Sequence, residues 1–404
     1  MVHMDLSEQV LYCIRTLNDA GYLCYIVGGA VRNFLLGIPI HDYDCTTNAT
    51  PTQMKEVFRN DRVFDTGIKH GTITVVIDHI PVEITTFRKE SAYKDHRHPD
   101  SVCFASALKE DCQRRDFTIN ALCYHPEEGI IDYFSGQQDL HNRIIRCIGN
   151  PDTRFEEDAL RILRAVRFSA QLEFSIDQDT AEALIRNKDM LKYISAERIH
   201  DELAAALSAK HCAVQIFHNL EIFSVFLPEL NQLKAEAYDR TYAAMLISRP
   251  DACARMALLL YQPQEDDYLA SAQTALRRLK YSNNDYHAIM TLLKHPKDAL
   301  RTDIDKRHIL QSAKDILPSY LIFRCALDTS LNYDQLCLDF DARINDCYTL
   351  DRLAIDGRDV KKFGIEGSDI KTVLNDALEE VIAERAENTK EALYLYLRQK
   401  ADQR

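Results

Sequence analysis

The chain has 404 residues, 46% of them hydrophobic and 27% charged, with a formal net charge of −13. That length exceeds what one hydrophobic core organises and points to about two to four domains, and no segment approaches the roughly 18 uninterrupted apolar residues of a membrane span. The acidic balance excludes a uniformly basic nucleic-acid coat, so any nucleic-acid binding must come from local clusters of arginine and lysine.

The first residues, MVHMDLSEQVLYCIRTL, are amphipathic and acidic early, without the basic start and apolar run of a secretory signal, so the cytoplasm is the expected location. YLCYIV (22–27) reads as a strand, and AVRNFLLG as a short helix closed by Gly37. DYDCTT (42–47) reads as a second strand, and TPTQMKEVF as a helix capped by Thr50 with Pro51 at its first position. TITVVI (72–77) and PVEITTF (81–87), separated by Asp78, His79 and Ile80, read as a hairpin. RKESAYKDHRHPDSVCFASALKED (88–111) is polar and mixed, the composition of a long mobile loop, and loops of that length inside a compact domain are usually functional or disordered. From about residue 150 the apolar period becomes that of helices, through FEEDALRILRAVRFSAQL, SAERIHDELAAALSA, QTALRRLKYS, YHAIMTLLKH, GSDIKTVLNDALEEVIAE and TKEALYLYLRQK. The expected class is therefore α+β: a small α/β unit followed by an essentially all-α remainder. The twelve cysteines form no C-x-x-C pair and many lie in apolar contexts, the pattern of buried reduced thiols.

The stretch YIVGGAVRNFLLGIPIHDYDCTTNATP concentrates the chemistry. On a strand, Asp42 and Asp44 would project from one face about 6–7 Å apart while Tyr43 points away. Two carboxylates so placed repel unless neutralised, which suits hard divalent cations, and Glu83 on the neighbouring strand could add a third. Gly28 and Gly29 lie between a strand and a helix, where bare amides and a helix N-terminus can approach phosphate oxygens, and Arg32 sits one turn further on. Either feature alone is common as a solvated surface or a tight turn. Their order within one short stretch is far more specific.

GGAVRN…DYDCTTNATP resembles the signature of the nucleotidyltransferase superfamily, and in detail that of the class II tRNA nucleotidyltransferases (CCA-adding enzymes) and the related bacterial poly(A) polymerases. The similarity continues in order through KHGTITVVI (69–77), VEITTFR (82–88), RRDFTINAL (114–122), DYFSGQQDLHNRIIRCIG (132–149), EEDALRILRAVRF (156–168) and AERIHDEL (196–203). It implies a catalytic head, the nucleotidyltransferase palm, over 1–140, a helical neck that recognises the nucleobase over 141–210, and a helical body and tail that bind tRNA over 211–404. In that reading Asp42 and Asp44 hold Mg²⁺ with Glu83 as third carboxylate, and Gly28, Gly29, Arg32, Arg114, Arg115 and Asp116 take the ribose and phosphates. Asp158 and Arg161, i and i+3 on one expected helix, present an acceptor beside a donor fork, an edge that can pair with the amine-next-to-acceptor pattern shared by cytosine and adenine. Glu157 supports that pair, and Arg164 and Arg167 are counted with the nucleotide-binding residues. ALRRLKYSN (275–283) and LAIDGRDVKKFGIEGSDIKTVLNDALEEV (353–381) resemble body and tail segments, with Arg277, Arg278 and Lys280 on a helix end and Gly367 and Ser368 at a helix start.

The implied activity is untemplated addition of C, C and A to tRNA 3′ ends from CTP and ATP, by a monomer or homodimer with no membrane attachment. A-only addition, poly(A) polymerisation and a catalytically silent RNA-binding scaffold are the competing readings. The doublet His200-Asp201 lies inside AERIHDEL without spaced partner histidines, so it is not a phosphohydrolase signature. The family pattern G-G-x-V-R-D ends here in Asn33, an amide that keeps the hydrogen-bonding shape and loses a charge. Triphosphate affinity is the property on which that departure bears.

Overall fold

The computed structural model describes residues 3–40, 42–65, 67–89 and 103–402. The chain divides into two compact units, 1–231 and 232–404. The first begins with α1 (Glu8–Asp19), β1 (Cys24–Val27), α2 (Gly29–Leu36), β2 (Asp44–Thr47), α3 (Pro51–Val57), β3 (Arg62–Phe64), β4 (Thr72–Ile77) and β5 (Ile80–Thr86). A short pair, β6 (Arg88–Lys89) and β7 (Cys103–Phe104), precedes α4 (Leu108–Gln113), β8 (Cys123–His125), β9 (Gly129–Ile131) and α5 (Gly136–Asn142). These strands, apart from β6 and β7, form a seven-stranded sheet in the order β3-β4-β5-β2-β1-β8-β9.

All four residues of β1 are buried, because it lies inside the sheet with antiparallel neighbours β2 and β8 on its two sides. Val10, Cys13, Ile14 and Leu17 of α1 bury one stripe of that helix. Beside the ends of β1 and β8, a cluster of Tyr25, Val27, Phe87, Leu108, Cys112, Cys123 and Ile148 seats α4, with each fully buried large side chain contributing roughly 1.5–3 kcal/mol. Thr50 and Gln53 close a capping box on α3, as NATP foreshadows. Asp78 and His79 have φ of 49° and 67°, so β4 and β5 join through a two-residue turn in which Ile80 already belongs to the strand. The three-residue connection expected from the sequence is one residue too long.

Two other expectations are corrected. DYDCTT does not form a strand over its whole length: β2 starts at Asp44, and Asp42 and Tyr43 precede it. The reason is the partner strands. Val27, the last residue of β1 before the glycine turn, pairs with Asp44, and on the other side Asp44 pairs with Glu83, so Asp42 has no ladder partner in either direction. Of the loop expected over 88–111, the ends pair as β6 and β7 and Leu108–Gln113 is helical, while 90–102 lies outside the described residues.

β10 (Ile144–Ile145) runs parallel to β11 (Ser175–Ile176), bracketing α6 (Pro151–Glu157) and α7 (Leu160–Leu172). The sequence pattern of 155–172 reads as one helix, yet it breaks at Asp158, whose φ and ψ of −146° and 100° are extended. Its carboxylate accepts from the Leu160 N–H at 3.1 Å, the local competition with the helical ladder to which aspartate is prone. α8 (Gln178–Asn187), α9 (Ala196–Leu207), α10 (Cys212–His218) and α11 (Leu220–Phe223) complete the first unit, so residues 211–231 group with it.

The second unit is helical throughout its described residues, around buried Met256, Leu258, Leu259 and Leu260 of the helix Ala252–Leu260. Arg277 and Arg278 end the helix Tyr268–Arg278, and Lys280 lies past it. Ser368 precedes Asp369–Ile382 without a side-chain cap bond. No helix among the described residues is long and apolar enough to cross a membrane.

Candidate active site

A cavity of about 580 Å³ opens in the first unit where β1 gives way to α2. Gly28 makes that turn at φ 71°, a conformation side chains rarely adopt, and a Cβ there would lie 3.1 Å from Arg115 Nη1. The bare glycine thus admits a guanidinium against the turn. Gly28, Gly29, Arg32, Asp44, Glu83, Arg114, Arg115, Asp116, Asp158, Arg161 and Arg164 all line the cavity. Asp42 and Arg167 do not.

The acidic end is a register effect. Asp44 and Glu83 are direct partners on adjacent parallel strands, which lie about 4.8 Å apart. Burial pushes the Asp44 carboxyl above its usual range; Arg115 opposes this and Asp42 reinforces it, so Asp42 is close enough to act electrostatically although it precedes the strand. Among the described residues no group of three His, Cys, Asp or Glu has metal-holding geometry. One or two hard carboxylates completed by water and phosphate oxygens are nevertheless the usual protein share for Mg²⁺, and the Asp44–Glu83 pair fits that donor set.

The basic wall is built from RRD. Asp111, fully buried in α4, receives Arg114 Nη2 at 2.7 Å and Arg115 Nη2 at 3.3 Å. Against its burial, the two guanidiniums and the Arg88 N–H hold the Asp111 carboxyl below the usual carboxylate range. Asp116 is engaged on both oxygens: Oδ1 accepts from the Phe117 N–H at 2.8 Å and Asn120 Nδ2 at 3.1 Å, Oδ2 from Arg164 Nε at 2.7 Å. Those donors, led by Arg164, outweigh its desolvation and bring its pKa down to about 2. Phe168 gathers three guanidiniums over its ring, Arg32 at 5.0 Å, Arg164 at 5.3 Å and Arg167 at 4.2 Å. Arg167 donates to Glu202 at 2.5 Å.

Asp158 and Arg161 come to the same cavity by another route than a shared helix face. Asp158, in the break between α6 and α7, takes a two-pronged contact from Arg198 of α9 at 3.2 and 2.7 Å. Arg161, buried at the start of α7, donates to Glu157 at 2.6 Å, to the Arg154 carbonyl at 2.9 Å and to the Arg114 carbonyl at 2.8 Å. Glu157 therefore supports Arg161, as expected. Arg198, Asn120 and Phe168 line the cavity too and do not stand out from the sequence. Arg198 and Asn120 stand inside the segments AERIHDEL and RRDFTINAL, but a polar residue within a motif does not show which side chain it will meet.

A sheet that begins with a strand, a glycine turn and an arginine-bearing helix, with acidic partners on the next strands, defines a nucleotidyltransferase head. Residues 24–146 match the family described as "Poly A polymerase head domain", 173–234 "Probable RNA and SrmB-binding site of polymerase A", and 254–397 tRNA nucleotidyltransferase domain 2. The CCA-adding enzyme of Lactobacillus helveticus is 35% identical over 97% of this chain and 97% of its own length. That of Lactobacillus delbrueckii subsp. bulgaricus is 36% identical over 97% and 98%. The crystal structure of the Bacillus stearothermophilus CCA-adding enzyme in complex with CTP superposes with a TM-score of 0.81 at 29% identity, over 98% of each chain. The chain belongs to the CCA-adding enzyme family and is a nucleotidyltransferase.

Proposed function

We propose that this chain adds CMP, CMP and AMP from CTP and ATP to the 3′ end of tRNA without a nucleic-acid template, releasing pyrophosphate. The observation that carries this reading is that one cavity joins the Asp44–Glu83 pair, the Gly28–Gly29 turn and the Asp158–Arg161 edge, in a chain similar along nearly its whole length to CCA-adding enzymes. Bare amides at the turn and the start of α2 receive phosphate oxygens, with Arg32 and Arg115 adding positive charge. Asp44, Glu83 and Asp42 would hold Mg²⁺, which when bound favours the attacking ribose hydroxyl and neutralises the triphosphate. Asp158 accepts from the exocyclic amine of the base and Arg161 donates to its acceptor, which admits cytosine and adenine and disfavours uracil and guanine. Reading a base this way requires Asp158 to share or release Arg198 and Arg161 to turn donors from the carbonyls it now holds. The second unit, with Arg277, Arg278 and Lys280, contacts tRNA phosphates, and the enzyme works in the cytoplasm.

The test is incubation of the purified protein and Mg²⁺ with tRNAs ending before C74, at C75 and at A76 (tRNA numbering), with CTP and ATP supplied separately and together. Completion of the CCA end from the shortest tRNA is the expected result. Extension of the C75 end alone would make it an A-adding enzyme, and indefinite A tails on unrelated RNA a poly(A) polymerase.

A further inference from the structure

Arg32 lies on the cavity wall beside the Gly28–Gly29 turn, over the Phe168 ring. Its Nε and Nη2 donate to Asn33 Oδ1 at 3.1 and 2.9 Å, and its Nη1 donates to Asn120 Oδ1 at 2.7 Å. The Asn120 oxygen is turned toward Arg32 because its own amide nitrogen donates to Asp116. Both acceptors are neutral. The other two guanidiniums on the same ring are compensated directly, Arg164 by Asp116 at 2.6 Å and Arg167 by Glu202 at 2.5 Å. The described residues give Arg32 no such carboxylate contact; Asp116 acts on it only through space, while Arg164 and Arg167 push against it.

Three donor positions of Arg32 are therefore fixed while its charge is left for a ligand. An aspartate in place of Asn33 would have the same shape and the same two acceptor contacts, but would form a charge-assisted pair with which an incoming phosphate must compete. From this geometry we infer that Asn33 is a positioning residue that aims Arg32 while keeping it uncompensated, and so sets affinity for the triphosphate part of the substrate rather than for its base. The inference rests on the nucleotide-binding reading of the cavity.

Calorimetric titration of the full-length protein with CTP, pyrophosphate and CMP, each with Mg²⁺, separates the two. In Asn33→Asp, CTP and pyrophosphate are expected to bind more weakly by on the order of 10-fold, with CMP affinity within about 2-fold of the original. In an Arg32→Ala background the same Asn33→Asp change is expected to do nothing further, since there is then no guanidinium to compensate. Unchanged CTP and pyrophosphate affinity in Asn33→Asp, an equal loss for CMP, or an effect that persists without Arg32 overturns the inference. A starting protein that binds neither CTP nor pyrophosphate overturns the nucleotide reading itself, and is recognised before any variant is made.

Discussion

Asp44 and Glu83 are register partners across a parallel ladder, a pair of carboxylates that suits a hard divalent cation. Asp44→Ala or Glu83→Ala is therefore expected to lower nucleotide incorporation on the order of 10²–10³-fold, measured as single-nucleotide addition to tRNA at saturating Mg²⁺. Asp44→Asn carries a second expectation with a definite sign. A carboxyl whose folded-state pKa is raised costs stability above that pKa, and the cost disappears as pH falls below its unfolded value. In EDTA at neutral pH the Asp44→Asn variant should melt higher than the original; a lower midpoint would contradict the burial argument. Asp116 has the opposite sign. Its pKa of about 2 against an ordinary value of 3.8 contributes stability above pH about 4 that is lost as pH falls toward 2, and Asp116→Asn should flatten that acid limb. The same change leaves Arg164 facing a neutral amide, with Glu202 at 3.6 Å as its remaining counter-charge, a loss of about 1–3 kcal/mol in denaturant unfolding at neutral pH.

At the level of elements, the site depends on two joints that hold short segments in register. α5 presses on the RRDFTIN segment so closely that a Cβ at Gly136 would fall 2.3 Å from the Thr118 carbonyl oxygen, while Thr118 Oγ1 donates to Asp139 at 2.7 Å. Gly136→Ala must push that backbone away, and a destabilisation of about 1–3 kcal/mol together with reduced incorporation is expected from unfolding curves and activity assays on the same preparation. The other joint is the break between α6 and α7. Arg198→Ala removes the fork that holds Asp158, and kcat/KM for CTP and ATP should fall together by about 10-fold, with Arg198→Lys intermediate because an ammonium cannot make the two-pronged contact. A loss confined to one nucleotide would assign Arg198 to base choice instead of to positioning. Strands β1, β4 and β5, the hairpin between the last two and the caps of α2 and α3 were legible because each is written locally in β-branched runs, Thr50–Pro51 and Gly37, whereas the three-residue strands β3, β8 and β9 are too short to show a period. The start of β2 and the break at Asp158 were not, because the first is set by where β1 and β5 stop and the second interrupts an apolar period that runs on unbroken through it.

The whole molecule is acidic, so contact with a polyanion must be made through local clusters against an unfavourable mean field. Binding of tRNA is expected to weaken at least about 10-fold between roughly 50 and 200 mM salt, the change for two or more phosphate contacts, in a filter-binding titration. Replacing Arg277, Arg278 and Lys280 by alanine should make that dependence shallower by about one unit of slope for each phosphate no longer neutralised, and an unchanged slope would place the tRNA surface elsewhere. The order of motifs in the chain, the α+β class and the glycine turn were determined by the amino-acid sequence, since each depends on residue type and near spacing, and so were Asp44, Glu83 and the RRD group among the cavity's charged residues. Tertiary structure alone decided that Asp44 pairs directly with Glu83 while Asp42 precedes the strand, that Asn33 and Asn120 hold Arg32, and that Arg198 holds Asp158. Such pairings join residues far apart in the chain, or turn on which way a side chain faces, and only the packed sheet and helices bring those groups within hydrogen-bonding distance.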